Sequence, residues 1–262
     1  MNFQHILVRQ HNKVGYLTLN RPEVLNSFNE QMHQEIILML DQWSFSQDIH
    51  TIVISGAGKG FCAGQDLTTR SKEVISAPDY DAGAALEKFY NPLILKITQM
   101  SKPVIAAVNG VAAGAGANLA LSCDMVVAKQ SARFIQSFCK VGLVPDAGGT
   151  WHLPHLVGLA RAKGLAMLGD QLSAQQALNW GLIWEVYEDE AFEQNVIELA
   201  ERLANQPSNS ISLIKQAFNH APQNTLADQL QLERQFQRIA GHSDNYKEGV
   251  AAFMEKRKPQ FN

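Results

Sequence analysis

The stretch "GLVPDAGG", residues 142–149, places one carboxylate, Asp146, between a proline and a pair of glycines, with apolar or small residues around it. A carboxylate there can close a turn, cap a helix or, where it faces a ligand, act as a base. Two other stretches are built to approach a ligand with backbone: "FCAGQDL" (61–67) and "NGVAAGAGA" (109–117), each following a short apolar run. Their small residues let N–H groups face outward unobstructed. Two such groups aimed at one point form an oxyanion hole, which stabilises an enolate or a tetrahedral oxyanion. By spacing alone, both are first of all tight strand-to-helix turns.

Other chemistries find less support. "GAGKG" (56–60) lacks the Lys-Ser or Lys-Thr of a phosphate loop, and no G-x-G-x-x-G follows a strand with an acidic residue beyond it. His152 and His155 lie three apart around Pro154, but no Cys, Asp or Glu cluster accompanies them, so they read as turn or surface histidines and no metal is expected. Cys62, Cys123 and Cys139 are few, odd in number and unspaced for metal, the usage of a reducing cytoplasm.

The elements that must position these residues follow from periodicity. "KVGYLTL" (13–19) alternates as a strand does and ends at the turn signal "NRP". Met32, Ile36, Met39, Leu40 and Trp43 mark one face of a helix. "TIVIS" (51–55), "KPVIAAV" (102–108), "DMVVA" (124–128) and "LIWEVY" (182–187) are expected as buried strands. Strands alternating with helices indicate an α/β protein with largely parallel strands. Ser173 and Gln176 form a capping box opening a helix that stops at Gly181. Beyond about residue 190 the pattern is helical, with "LADQLQLERQFQRIAG" and "DNYKEGVAAFMEKRK" both amphipathic. Residues 68–83 lack a pattern and are expected to form a mobile surface segment.

The chain's 262 residues are 46% hydrophobic and 18% charged, the balance of a soluble globular protein. A net charge of −3 and the absence of a basic stripe exclude nucleic acid as the main partner. The run 103–123 carries no charge and has the length of a membrane span, but its alanines, glycines, Asn109 and Asn118 favour a buried strand, a turn and a small-residue helix. The first residues lack the apolar stretch of a signal peptide. No membrane partner is expected, and the cysteine usage points to the cytoplasm.

The stretches "LNRPEVLNSFN", "GKGFCAGQDL", "NGVAAGAGANLAL", "DMVVAKQSARF", "GLVPDAGGTWHLP", "QLSAQQALNWGLIWEV" and "FMEKRKPQF" resemble, in order and over nearly the whole chain, the crotonase or enoyl-CoA hydratase/isomerase superfamily. The resemblance implies a crotonase-like α/β spiral of ββα units, here residues 1–195, and a C-terminal helical region, 196–262, that drives a homotrimer or a dimer of trimers. It also implies an acyl-CoA substrate and no separate cofactor, coenzyme A being part of the substrate. By this likeness the thioester carbonyl sits between the backbone N–H groups of Gln65 and Ala115. The adenine end lies against backbone near Ala63, Gln65 and Leu67, with Val24 opposite, and Lys256 of a neighbouring subunit approaches a CoA phosphate.

Hydratases of the superfamily use two glutamates, whose positions here hold Asn118 and Phe138. Neither can act as a base near neutral pH. Asp146 stands where isomerases and dehalogenases of the superfamily can carry a functional aspartate, and partial burial would strengthen it as a base. "FCAGQDL", "EKFYNPL", "NGVAAGAGA" and "PDAGGTW" are most similar to isomerases of phenylacetate breakdown, which act on an epoxidised aromatic thioester and also move β,γ double bonds to α,β. Phe89 and Tyr90 then supply aromatic surface near the acyl group, or serve equally as core. A hydratase and a non-catalytic CoA-binding protein stand as the alternatives.

Overall fold

Alternation in the first strands sets the layers. In the computed structural model, which describes residues 3–261 apart from 69, 70, 72, 74 and 75, β1 (Ile6–His11) and β2 (Val14–Leu19) form an antiparallel hairpin. From β2 onward the neighbours β3 (Thr51–Gly56), β5 (Val104–Val108), β7 (Met125–Lys129) and β10 (Glu185–Tyr187) run parallel, giving the order β1-β2-β3-β5-β7-β10. Leu17, Leu19, Ile52 and Ile54 face the main core, where α1 (Glu30–Phe45) presents Met32, Ile36, Met39, Leu40 and Trp43. Val14, Tyr16 and Val53 face the other way, onto α7 (Phe192–Ala204). Both faces are therefore covered, which is why β5 is buried at all its positions and reads as an unbroken apolar run.

A second, four-stranded sheet consists of β4 (Gly60–Cys62), β6 (Val111–Ala113), β8 (Arg133–Ile135) and β9 (Gln171–Ser173), in that order. The pairs β3/β4, β5/β6 and β7/β8 each give one strand to either sheet. The helices that follow them are α2 (Asn91–Gln99), α3 (Ala115–Leu121) and α4 (Gly149–Val157). This is the expected spiral of ββα units. Three expectations change in detail. The charge-free run 103–123 holds two strands, β5 and β6, before its small-residue helix, and "LIWEVY" contributes only β10. His152 and His155 lie within α4, and His152 is partly buried, not on a surface turn. Part of the 68–83 segment falls outside the described residues, and the expectation of mobility with it.

After α5 (Leu159–Leu168), Ser173 caps α6 (Ala174–Asn179) as expected, its hydroxyl accepting from the Gln176 N–H. The C-terminal helices are α7, α8 (Ser208–His220), α9 (Leu226–Gly241) and α10 (Asp244–Glu255). The division at 195/196 falls inside α7. Lys215 of α8 ties this region to the core, donating to Asp124 Oδ2 at 2.7 Å and to the carbonyls of Ile97 and Lys102. No helix of the described residues is long and apolar enough to cross a membrane.

Candidate active site

The two glycine-rich turns meet. Phe28 N–H donates to Gly64 O at 2.7 Å and Asp66 N–H to Phe28 O at 2.9 Å, a parallel bridge between Phe28 and Gln65. In such a bridge the middle residue turns its own N–H and C=O away from its partner strand. Gln65 thus directs its N–H to the side opposite Phe28. Gly64 has φ +91°, a conformation that favours glycine, and a Cβ there would lie 3.3 Å from Ala115 N. Ala115 opens α3, so its N–H is one of the first-turn donors without an acceptor inside the helix.

Side chains lock the Gln65 turn from behind. Gln65 Nε2 lies 3.3 Å from the carbonyls of Phe28 and Asp66, and its Oε1 accepts from the Tyr90 hydroxyl at 2.7 Å. Asp66 is held by Arg21 at 2.8 Å and by the Thr68 hydroxyl at 2.6 Å. Burial pushes its carboxyl up, but the hydrogen bonds from Thr68 and Arg21 outweigh this and hold it below its ordinary range. Asp66 is therefore an anchored anion, not a base.

Gln65 and Ala115 line one cavity of about 340 Å³, together with Ala63, Leu67 and Asp146. Leu86, Tyr90, Phe138, Val141 and Leu143 add apolar wall. Asp146 precedes α4, whose N-cap position belongs to Gly148, so the aspartate is not the residue at the cap. Its Oδ1 is closed off from solvent. Its carbonyl accepts from Asn118 Nδ2 and from Gly149 N–H, each at 2.8 Å. Among the described lining residues Asp146 is the one carboxylate. A carboxylate that shares a cavity with two backbone N–H groups has the parts needed to move a proton on a carbon beside a carbonyl that such groups could hold.

Ala63, Gln65, Leu67, Ala115 and Asp146 are thus brought together. Val24 does not line the cavity; it ends a short turn (Pro22–Val24) whose next residue, Leu25, accepts from Ala63 N–H at 3.0 Å. Lys256 follows α10 in a left-handed conformation, exposed and outside the lining. Asn118 is wholly buried, whereas Phe138 faces the cavity. Tyr90 reaches the cavity, while Phe89 packs against the core. Cys62, near the same turn, is no nucleophile, because burial pushes its thiol up to about 12. His152 is driven down to about 4 by burial and by the nearby His155. Two further contributions, one in the cavity wall and one behind it, had no signal in the sequence. Ser137 also lines the cavity, and behind the wall Gln136 Nε2 donates to Asn118 Oδ1 at 2.8 Å. A lone serine or amide in an apolar stretch carries no spacing rule.

Comparison with known proteins adds an independent observation. The model of the enoyl-CoA hydratase/isomerase family matches residues 9–262. The chain is 53% identical to 1,2-epoxyphenylacetyl-CoA isomerase of Escherichia coli K12 over 258 residues, covering 98% of both chains. It is 35% identical to trans-2-decenoyl-[acyl-carrier-protein] isomerase of Streptococcus mutans, over 100% of this chain and 99% of the relative. The crystal structure of an enoyl-CoA hydratase from Bacillus anthracis superposes with a TM-score of 0.92 at 33% identity, covering 98% of this chain and 99% of that one.

Proposed function

The chain belongs to the enoyl-CoA hydratase/isomerase family, and from that premise we propose that it is an isomerase of CoA thioesters, acting on 2-(1,2-epoxy-1,2-dihydrophenyl)acetyl-CoA in phenylacetate breakdown. The observation that carries this reading is the cavity wall, in which a single carboxylate, Asp146, shares one space with the Gln65 and Ala115 turns. The extent of the likeness to the E. coli isomerase supports the choice of substrate.

One proton transfer accounts for the reaction. Asp146 removes a proton from the carbon beside the thioester carbonyl, and the charge moves onto the carbonyl oxygen as an enolate held by the Gln65 and Ala115 N–H groups. Returning the proton to the γ carbon shifts a β,γ double bond to α,β with no atom gained or lost. The epoxidised ring enters the same scheme. Its epoxide interconverts with a seven-membered oxepin, in which the ring carbon bearing the side chain is doubly bonded to its neighbour. Taking the side-chain proton and delivering it to that neighbour leaves an oxepin conjugated with the thioester. Δ3,Δ2-enoyl-CoA isomerisation is the same step on an open chain.

Adding water would need a second acid or base. Asn118 and Phe138 supply none, which disfavours the hydratase alternative. For the rest of the substrate we assign the adenine end to the backbone of Ala63, Gln65 and Leu67 with Val24 opposite, and a phosphate to Lys256 of a neighbouring copy. Residues 1–195 then carry the thioester site and 196–262 the assembly region of a trimer or dimer of trimers. We place the enzyme in the cytoplasm, in keeping with free Cys62, Cys123 and Cys139.

Asp146→Asn is the test, because it keeps the size and removes the base. Turnover of 3-enoyl-CoA and of the epoxide thioester should fall by about 10² to 10⁴-fold, with thioester affinity and melting temperature nearly unchanged. Near wild-type turnover in the folded variant would refute the assignment.

A further inference from the structure

The peptide of Asp146 is held from two directions. Asn118 reaches it from inside α3 through Nδ2, 2.8 Å from the carbonyl oxygen, and Gly149 N–H reaches the same oxygen from the start of α4. The carbonyl can only accept, so it fixes which end of the Asn118 amide faces it. The other end, Oδ1, then accepts from Gln136 Nε2 at 2.8 Å. Asn118 is fully buried and Gln136 is 4% exposed, so neither amide can trade this partner for water. The approach also requires Gly149, where a Cβ would lie 2.2 Å from Asn118 Nδ2. The outer part of the same loop is loose by comparison: Val144, two residues earlier, is 77% exposed.

We infer that Asn118 is a positioning residue for Asp146. Its amide, itself oriented by Gln136, fixes where the carboxylate stands relative to the Gln65 and Ala115 N–H groups. This rests on the reading of Asp146 as the base. A proton-transfer group must meet its carbon within a few tenths of an ångström, and a misplacement of ~1 Å costs on the order of 10²-fold in rate. A loop ending in two glycines does not provide that rigidity by itself. The buried amide pair does.

The experiment compares Asn118→Leu, Gln136→Met, the double variant and Asp146→Asn in 3-enoyl-CoA isomerisation, each with a melting curve. Asn118→Leu is nearly isosteric and deletes the donor. Its kcat should fall by about 10 to 100-fold, while KM stays within about 3-fold because the cavity wall and the N–H groups are untouched. Gln136→Met should give a smaller fall in kcat, and the double variant should lose no more than Asn118→Leu alone, since both act through one bond. A purely structural role predicts a lower melting temperature with wild-type kcat per folded molecule, and that result overturns the inference. Additive losses would overturn the relay from Gln136. Should Asn118→Leu fail to fold, Gln136→Met decides alone: unchanged kcat counts against the inference. Asp146→Asn separates the two levels. If it is silent, the base assignment fails; if it is inactive while Asn118→Leu is wild-type, only the positioning role fails.

Discussion

His33 shows how a titratable side chain can sit beside this site without taking part in it. Its ring stacks on Phe28 with centroids 4.8 Å apart, on Phe89 at 5.6 Å, and meets Tyr90 edge-on at 4.4 Å. Both ring nitrogens are buried without a hydrogen-bond partner among the described residues. Burial accordingly holds its pKa down at about 4. The unfolded chain takes up this proton below pH 6.5, whereas the folded chain resists until about 4. Stability is therefore lost as pH falls from 6.5 to 4, by up to about 3 kcal/mol from this group. His33→Phe keeps the stack and should flatten that acid slope in urea unfolding across pH 4–7, leaving the share contributed by His152. Equal slopes in both proteins would refute the account. Legibility at this scale follows isolation of charge. Asp146 stands out because a carboxylate among apolar and small residues needs a reason. Asn118 and Gln136 do not, because their partners are distant in sequence and an amide in an apolar run has no period to betray it.

The elements that carry periodicity were legible, and those too short to repeat were not. The Met32–Trp43 stripe of α1 and the buried runs of β3, β5 and β7 appear where the pattern places them. Periodicity gives no sign of the second sheet, which only the ββα resemblance implies, because each of its strands spans only three residues, less than two alternations. The π-helical turn Leu86–Tyr90 ahead of α2 was equally silent. Such turns recur at functional sites, and this one brings the Tyr90 hydroxyl onto Gln65 Oε1. If that bond steadies the Gln65 peptide, Tyr90→Phe should lower kcat by about 10-fold, short of the ~10²–10³ cost of deleting an oxyanion donor. Melting temperature should change little, because the ring and its packing on His33 and Phe28 remain. Unaltered kcat would mean that the backbone bridge to Phe28 suffices.

At the scale of the molecule, the C-terminal helices expose what a monomer ordinarily hides. Helix α9 buries none of its 16 residues, and α10 buries only Ala252. A groove of about 990 Å³ runs between α8, α9 and α10, lined by Ile214, Phe218, Leu230, Phe236, Val250 and Phe253. Phe218 is 74% and Phe253 86% exposed. An apolar surface of this kind marks an interaction site, and an amphipathic tail whose apolar face is not taken up by the core leaves that face for another subunit. The partner proposed here is a second and third copy of the chain. Phe218→Glu with Phe253→Glu places charge in the groove, where burial against another copy would be costly. The variant should run at lower mass in light scattering while the Lys215–Asp124 tie keeps α8 on the core. Assembly should also govern the CoA end of the site. If Lys256 acts across the boundary between copies, the dissociated variant and Lys256→Ala should both raise KM for CoA thioesters. Short pantetheine thioesters, which lack the nucleotide phosphates, should be spared. The difference should shrink with added salt as the charge is screened. Native mass in the double glutamate variant would refute the interface. Dissociation with equal KM changes for both thioesters would keep the interface and remove Lys256 from it.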